Sequence, residues 1–229
     1  MDFYIGWHQP NNGESGCKNF PRCMVSVNRL ENRKSSFEVN NWILDSGAFT
    51  RITSGKGHLS TKKYAKMIRR WYKQGKGFLD AAVSQDYMNE PIVHNITGLD
   101  TKTHQEITIL RYDNLMRHTQ SLSENEAKNL DMLMAEYTDD IENPAEGMQE
   151  FWELEEYYDD IDIPYIMPVL QGFHPQDYVE HIRMYGTRLK YGAWVGVGTL
   201  CKRNGNPREV EAVLSAIKKE RPDLELHGF

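Results

Sequence analysis

The chain of 229 residues has only three cysteines and no apolar run approaching a membrane span, which takes about 20 residues. The second absence argues against a membrane-spanning helix. The first argues against a disulfide scaffold. Cys17, Cys23 and Cys201 are odd in number and unevenly spaced, which fits free core thiols in a reduced, cytoplasmic chain and gives no metal cluster. The start, Met1-Asp2-Phe3-Tyr4, has neither the basic residues nor the apolar stretch of a secretory signal. No internal repeat or low-complexity linker appears, so a single domain over 1–229 is expected. That length buries a sizeable core and falls slightly below the roughly 250 residues of an α/β barrel.

Lysine and arginine are missing from one stretch. Residues 136–162 carry 12 acidic side chains and no basic one. The formal charge of −6 therefore hides 27 basic against 21 acidic side chains elsewhere, a net of +6. A basic body suits a phosphate backbone. The acidic insert would repel one, so it belongs on another face or acts as a movable shield. The plainer reading of the insert is a solvated acidic excursion, with Phe151, Trp152, Leu154 and Tyr157 giving it something to pack.

What the chain does have is a set of short apolar runs ending in polar residues or glycine. Trp42-Ile43-Leu44 precedes Asp45-Ser46-Gly47, and Leu79 to Val83 precedes Gln85-Asp86. Ile166 to Leu170 precedes Gln171-Gly172, Ala193 to Val195 precedes Gly196-Val197-Gly198, and Leu224 to Leu226 precedes His227-Gly228. Such runs read as buried parallel strands. Further strands are expected at Phe3 to Gly6 and Cys23 to Val27. Helices are expected over 61–75, 101–121, 175–185 and 207–220, with Thr61 and Gly75 as cap and stop. Ile107, Leu110, Leu115 and Met116 are the expected buried face of the second. Residues 131–137 fit strand or helix equally. Alternating strands and helices predict a TIM-type (β/α) barrel, incomplete at its C-terminal side. Polar groups at the C-terminal strand ends then converge on the face where such barrels place their chemistry.

Asp45-Ser46-Gly47 is the sharpest local motif. It can aim a carboxylate into a pocket, although Asp-Ser-Gly is also ordinary turn chemistry. Asp86 adds a second carboxylate, Gln171 an amide, and Gly196 and Gly198 bare backbone. Lys202 and Arg203 follow as phosphate-binding candidates. Lys62, Lys66, Arg69, Arg70 and Lys73 form one basic stripe at helical spacing, readable as a nucleic-acid face or as a solvated one. Together the polar groups match the edge of guanine. Its N1–H and N2–H₂ donors want a carboxylate such as Asp86. Its O6 wants a donor from Gln171 or a backbone N–H near Gly196. Two carboxylates also suit exchange at an N-glycosidic bond, one at C1′ and one managing the proton of the departing base.

Several longer motifs carry a resemblance. They are Phe3-Tyr4-Ile5-Gly6, Ser26 to Leu30, Trp42 to Thr50, Ser84 to Met88, His104-Gln105 with Arg111-Tyr112-Asp113, Met167 to Phe173, Trp194 to Gly205, and Leu226 to Phe229. Over nearly its whole length the chain resembles the tRNA-guanine transglycosylase superfamily, most of all its DNA-acting branch, the DpdA proteins. The resemblance implies exchange of guanine in DNA for a 7-deazapurine such as preQ0. It makes Asp45 an active-site aspartate, Ser46 a residue lining the base pocket and Asp86 the reader of the guanine edge. Gln171 and Gly196 become amide and backbone donors. Two departures stand out. The family's nucleophilic aspartate follows the strand matching Leu224 to Phe229, where this chain ends, and the zinc-binding cysteines of the tRNA enzymes are absent. The expectation is a truncated chain, one piece of a split enzyme whose second chain supplies the nucleophile, or a variant in which Asp45 attacks.

The expected partners are DNA, with tRNA as an alternative, and a 7-deazapurine base. No cofactor, metal or membrane is expected. Two rival readings are a non-catalytic nucleobase- or nucleic-acid-binding subunit and a metabolic barrel enzyme binding a sugar phosphate at Gly196 to Gly198.

Overall fold

Among the described residues eight parallel strands form, and in both sheets they lie side by side in chain order. In this computed structural model the described residues are 2–7, 19–74, 76–119, 164–203 and 205–229. The acidic insert 136–162, residues 131–137 and Cys17 lie outside them.

β1 (Ile5–Gly6), β2 (Arg22–Ser26), β3 (Glu38–Asp45), β4 (Lys76–Val83) and β5 (Tyr165–Met167) make a five-stranded sheet. β6 (Val169–Leu170), β7 (Trp194–Val197) and β8 (Glu225–Gly228) make a three-stranded one. The expected strand ending at Leu170 is thus divided between two sheets at Pro168. Proline carries no N–H for a ladder. Its carbonyl still accepts from Gly196 N at 2.9 Å, opening the second sheet.

Among the described residues the helices are α1 (Val27–Leu30), α2 (Ala48–Thr53), α3 (Thr61–Gln74), α4 (Pro91–Thr97), α5 (Thr101–Thr119), α6 (Pro175–Tyr185) and α7 (Pro207–Glu220). The four long ones agree with the sequence. α2 and α4, of six and seven residues, are too short to show a period.

Side chains alternate between two buried layers, as a parallel sheet covered on both faces requires. Trp42, Leu44, Ile166, Leu170, Val195 and Val197 join the helix-facing layer with Tyr64, Ile68, Trp71 and Tyr178. Ile43, Ala81, Val83, Met167 and Val169 form the opposite layer, together with Tyr4, Met24, Trp194 and Phe229. This inner layer draws on both sheets. The Tyr4 ring lies 5.7 Å from His227 and 6.0 Å from Trp194, so side chains of the first and last strand regions meet. No ladder joins β1 to β8 among the described residues. Of the TIM-type barrel expected from the sequence, incomplete at its C-terminal side, the α/β architecture with parallel strands is present, and among the described residues the strands form two parallel sheets without closure.

α5 corrects the sequence reading in detail. Leu110 is 57 % exposed, whereas Gln105, Thr108, Ile109, Tyr112 and Leu115 are buried. Leu115 and Met116 do face the core as expected, but the buried stripe also takes in the polar His104, Gln105, Thr108 and Thr119, which a count of apolar positions passes over. Cys23 is a buried thiol as expected, but Cys201 is exposed. Among the described residues no helix is long and apolar enough to cross a membrane.

Candidate functional site

The C-terminal ends of β2, β3, β4, β6 and β7 share one rim, because all the strands are parallel and nearly in register. Ser26 ends β2 directly beside Asp45, which ends β3. The Asp45 carboxylate accepts from the Ser26 hydroxyl and the backbone N–H groups of Ser46 and Gly47. These bonds favour its ionised form, yet burial outweighs them and holds the carboxyl above its ordinary range. Gly47 follows at φ 66, and an added Cβ would strike the side chain of Asn28. Only glycine meets both demands there. Asn28 Nδ2 in turn donates to the Gly47 carbonyl at 3.2 Å. Ser46, expected to line the base pocket, is 1 % exposed.

Asp86 sits three residues past β4. Burial, with Asp45 and Glu90 nearby, pushes its carboxyl up to about 7 despite a hydrogen bond from Gln171. That bond runs from Gln171 Nε2 to Asp86 Oδ2. Asp45 and Asp86 thus lie at the same rim, and the Asp45 charge adds to the cost of ionising Asp86.

Gln171 is the most tightly held residue of the site. Its backbone N–H donates to His181 Nδ1 at 2.8 Å, and its carbonyl accepts from Gln105 Nε2 at 2.7 Å. Its Oε1 accepts the Thr199 hydroxyl at 2.8 Å. Gly198 leaves room for the amide, which an added Cβ would overlap. Thr199 accepts the Asn89 N–H at 3.1 Å and lies 3.3 Å from Glu90 Oε2. The Asn89 N–H takes one of the hydroxyl's two lone pairs, and because Gln171 Nε2 is engaged by the Asp86 carboxylate, the hydroxyl's single proton goes to Gln171 Oε1. The amide orientation follows: Oε1 faces Thr199 and Nε2 faces Asp86. Thr199 is the single non-glycine residue with positive φ among the described residues, at 61°. A β-branched residue is poorly suited to that region, and such conformations cluster at ligand sites.

Two expected donors are otherwise engaged. Gly196 N donates to the Pro168 carbonyl and Gly198 N to the Leu170 carbonyl at 3.0 Å. Both backbone N–H groups belong to the ladder, as in any paired strand. Gly196 instead accommodates the Phe229 ring.

Sequence reasoning missed several members. His58 Nε2 lies 2.9 Å from the Asp86 carbonyl, and burial depresses the imidazole to about 3, so it is neutral. Asn89 is 1 % exposed, and neither side-chain polar atom has a hydrogen-bond partner among the described residues. The Tyr64 hydroxyl donates to the Val83 carbonyl at 2.8 Å, tying α3 to the end of β4. Thr199, His181 and Asn89 carry no local signal, since each depends on contacts between distant segments. Gln105 stood in a quoted motif without an assigned role.

The nucleic-acid candidates are spread out. α3 starts near the rim and descends the outside of the sheet, so Lys62 and Lys66 lie higher than Arg69, Arg70 and Lys73. Arg70 Nη2 donates to the Lys34 carbonyl at 3.0 Å, and its guanidinium lies 4.8 Å from the Trp71 ring centroid. Arg203 stays at the rim, 4.7 Å from the Phe173 ring centroid. The Lys202 side chain is outside the described set. Among the described residues no group of three or more His, Cys, Asp or Glu is placed to hold a metal ion.

Parallel strands ending in a buried carboxylate–amide pair beside a second carboxylate define an α/β protein with a polar cluster at one rim of its sheets. The chain belongs to the DpdA family, deoxypurine in DNA protein A, whose profile matches residues 1–150 and 141–229. Membership ties it to deazapurine modification of DNA. No curated protein and no solved structure matches it.

Proposed function

We propose that this chain exchanges guanine in DNA for a 7-deazapurine at the N-glycosidic bond. The observation that carries this reading is the Asp86–Gln171 pair. An ionised Asp86 accepts the N1–H and N2–H₂ donors of guanine. The second Nε2 proton of Gln171 serves O6, which neighbours N1 on the same ring. Gln171 has no exposed surface and Asp86 only 7 %, so admission of the base requires nearby side chains to shift. In duplex DNA the nucleotide must also leave the stack, at a cost of about a few kcal/mol. Lys66, Arg69, Arg70 and Lys202 are the proposed backbone contacts, Arg203 being held against Phe173, and 7-deazapurines such as preQ0 the incoming base.

Asp45 is assigned to the proton of the departing base. Its raised carboxyl favours a proton-managing role over nucleophilic attack. The attacking carboxylate then comes from a partner chain or a further segment. Incubation of the chain with a guanine-containing oligonucleotide, followed by denaturing electrophoresis, tests this. We expect guanine binding without a covalent adduct. A shifted band lost in Asp45→Asn makes Asp45 the nucleophile instead, and failure to bind guanine at all defeats the base-exchange reading.

A further inference from the structure

Beside the Asp86–Gln171 pair the rim holds a separate cavity of about 360 Å³, lined by Glu90, Phe173, Thr199, Arg203, Asn206 and Glu209. Its residues come from the starts of α4 and α7 and from the loops after β6 and β7. Thr199 alone belongs to both places, touching Gln171 on one side and lining the cavity on the other.

One part of the lining is a flat shelf. The Phe173 ring is 38 % exposed, and the Arg203 guanidinium lies 4.7 Å from its centroid. Arg203 Nη2 also donates to the Phe173 carbonyl, which fixes the guanidinium beside the ring. The loop beneath is fixed too. Asp177 Oδ2 accepts the N–H groups of Phe173 and His174 at 2.8 and 2.7 Å. A preformed ring–guanidinium pair is a stacking platform for planar ligands, and nucleobases are the planar ligands for which aromatic and arginine side chains most often serve.

The remaining lining is rich in acceptors. Glu90 and Glu209 bring carboxylates. The Asn206 Nδ2 donates to Glu209 Oε1 at 2.7 Å, which leaves the Asn206 carbonyl oxygen as its open end. Two carboxylates repel a phosphate, and the one guanidinium is already committed to Phe173. The matching ligand is planar and presents N–H donors along one edge.

We propose that this cavity holds a second nucleobase, one carrying an exocyclic amino group, stacked on the Phe173–Arg203 shelf beside the base seated on Asp86. The proposal rests on the base-exchange reading for its neighbour and adds a second subsite to it. The ligand has two sources of the same chemistry: the nucleotide adjacent to the target in the strand, or a second free base.

Binding of the full chain to single-stranded oligonucleotides separates these sources. Each oligonucleotide carries one guanine whose 5′ or 3′ neighbour is cytosine, thymine or an abasic residue. Stacking of one base is worth about 1–3 kcal/mol, or roughly 5- to 150-fold in Kd. The wild type is expected to lose that factor when the neighbour on one side becomes abasic, and part of it with thymine, which lacks an amino group. Phe173→Ala should show the same loss with cytosine present and none beyond it when abasic. In parallel, calorimetry with free guanine counts sites. Two bases per wild-type chain and one per Phe173→Ala chain assign the cavity to a free base. Equal weakening of all oligonucleotides by Phe173→Ala, with one guanine bound to both proteins, would overturn the proposal and leave the Asp86 site intact. Phe173 is partly exposed, and thermal melting verifies that its variant is folded.

Discussion

Asp86→Asn should stabilise the empty protein above neutral pH and abolish purine binding. A carboxyl raised from 3.8 to about 7 is harder to ionise in the fold than in the unfolded chain. At about 1.4 kcal/mol per pH unit the difference is about 4 kcal/mol, taken as an order of magnitude. The sign follows from proton counting. Between about pH 4 and pH 7 the folded state holds a proton that the unfolded state has released. Stability from this group is therefore full below pH 4, falls as pH rises through 7, and is flat beyond. Asparagine never ionises, and its Oδ1 still accepts the Gln171 Nε2–H. The variant should match the wild type near pH 4 and exceed it by a few kcal/mol at pH 8. Urea denaturation at several pH values measures the gap. The difference between the two proteins reads Asp86 together with its coupling to Asp45 and Glu90.

The same substitution turns one acceptor oxygen into an NH₂ donor facing the donor edge of guanine. Each lost charge-assisted hydrogen bond is worth about 1.5–3 kcal/mol, so two remove at least about 100-fold of affinity. Wild-type affinity should in turn rise with pH through about 7, as Asp86 becomes an acceptor. A variant that binds guanine like the wild type, or that is no more stable at pH 8, would refute the assignment.

Thr199→Val keeps the β-branched shape but removes the donor that orients Gln171; it should lose part of the preference for guanine over 2-aminopurine, which lacks both O6 and the N1–H, while Thr199→Ser retains all of it. Calorimetry with the two bases reads this, and an unchanged preference in the valine variant counts against the orientation argument. Asn89→Leu replaces a buried amide whose polar atoms lack partners, so the melting midpoint in urea should rise by the equivalent of about 1–3 kcal/mol; a fall would mean that the amide is satisfied in solution. If the basic body grips DNA, log Kd should change with log salt by about 0.9 per phosphate neutralised on duplex DNA. Reversing Lys66, Arg69 and Arg70 to glutamate should flatten that dependence, and a wild-type slope near zero would reduce the stripe to a solvated face.

Most of what was legible in the sequence was local and periodic. Thr61–Gln74, Pro175–Tyr185 and Pro207–Glu220 were readable because each repeats an apolar face over three or four turns between recognisable ends. The strand runs were readable because parallel strands are apolar on both faces. Asp45, Asp86 and Gln171 could be brought to one rim in advance because parallel strands put all their C-terminal ends on one side. What the sequence hid is the pairing beyond the strands. Pro168 reads as a residue inside one strand, and only the ladder partners reveal the handover between two sheets. The N–H groups of Gly196 and Gly198 look free in a glycine-rich motif, but a strand's own neighbours claim them. Thr199 looks like an ordinary loop residue. Its importance arises from Asn89, 110 positions away, and Gln171, 28 positions away. A local motif could announce a carboxylate and an amide; which way the amide faces depends on a hydroxyl delivered from another strand. The recognition chemistry proposed here thus depends on Thr199 as much as on the two residues that would touch the base.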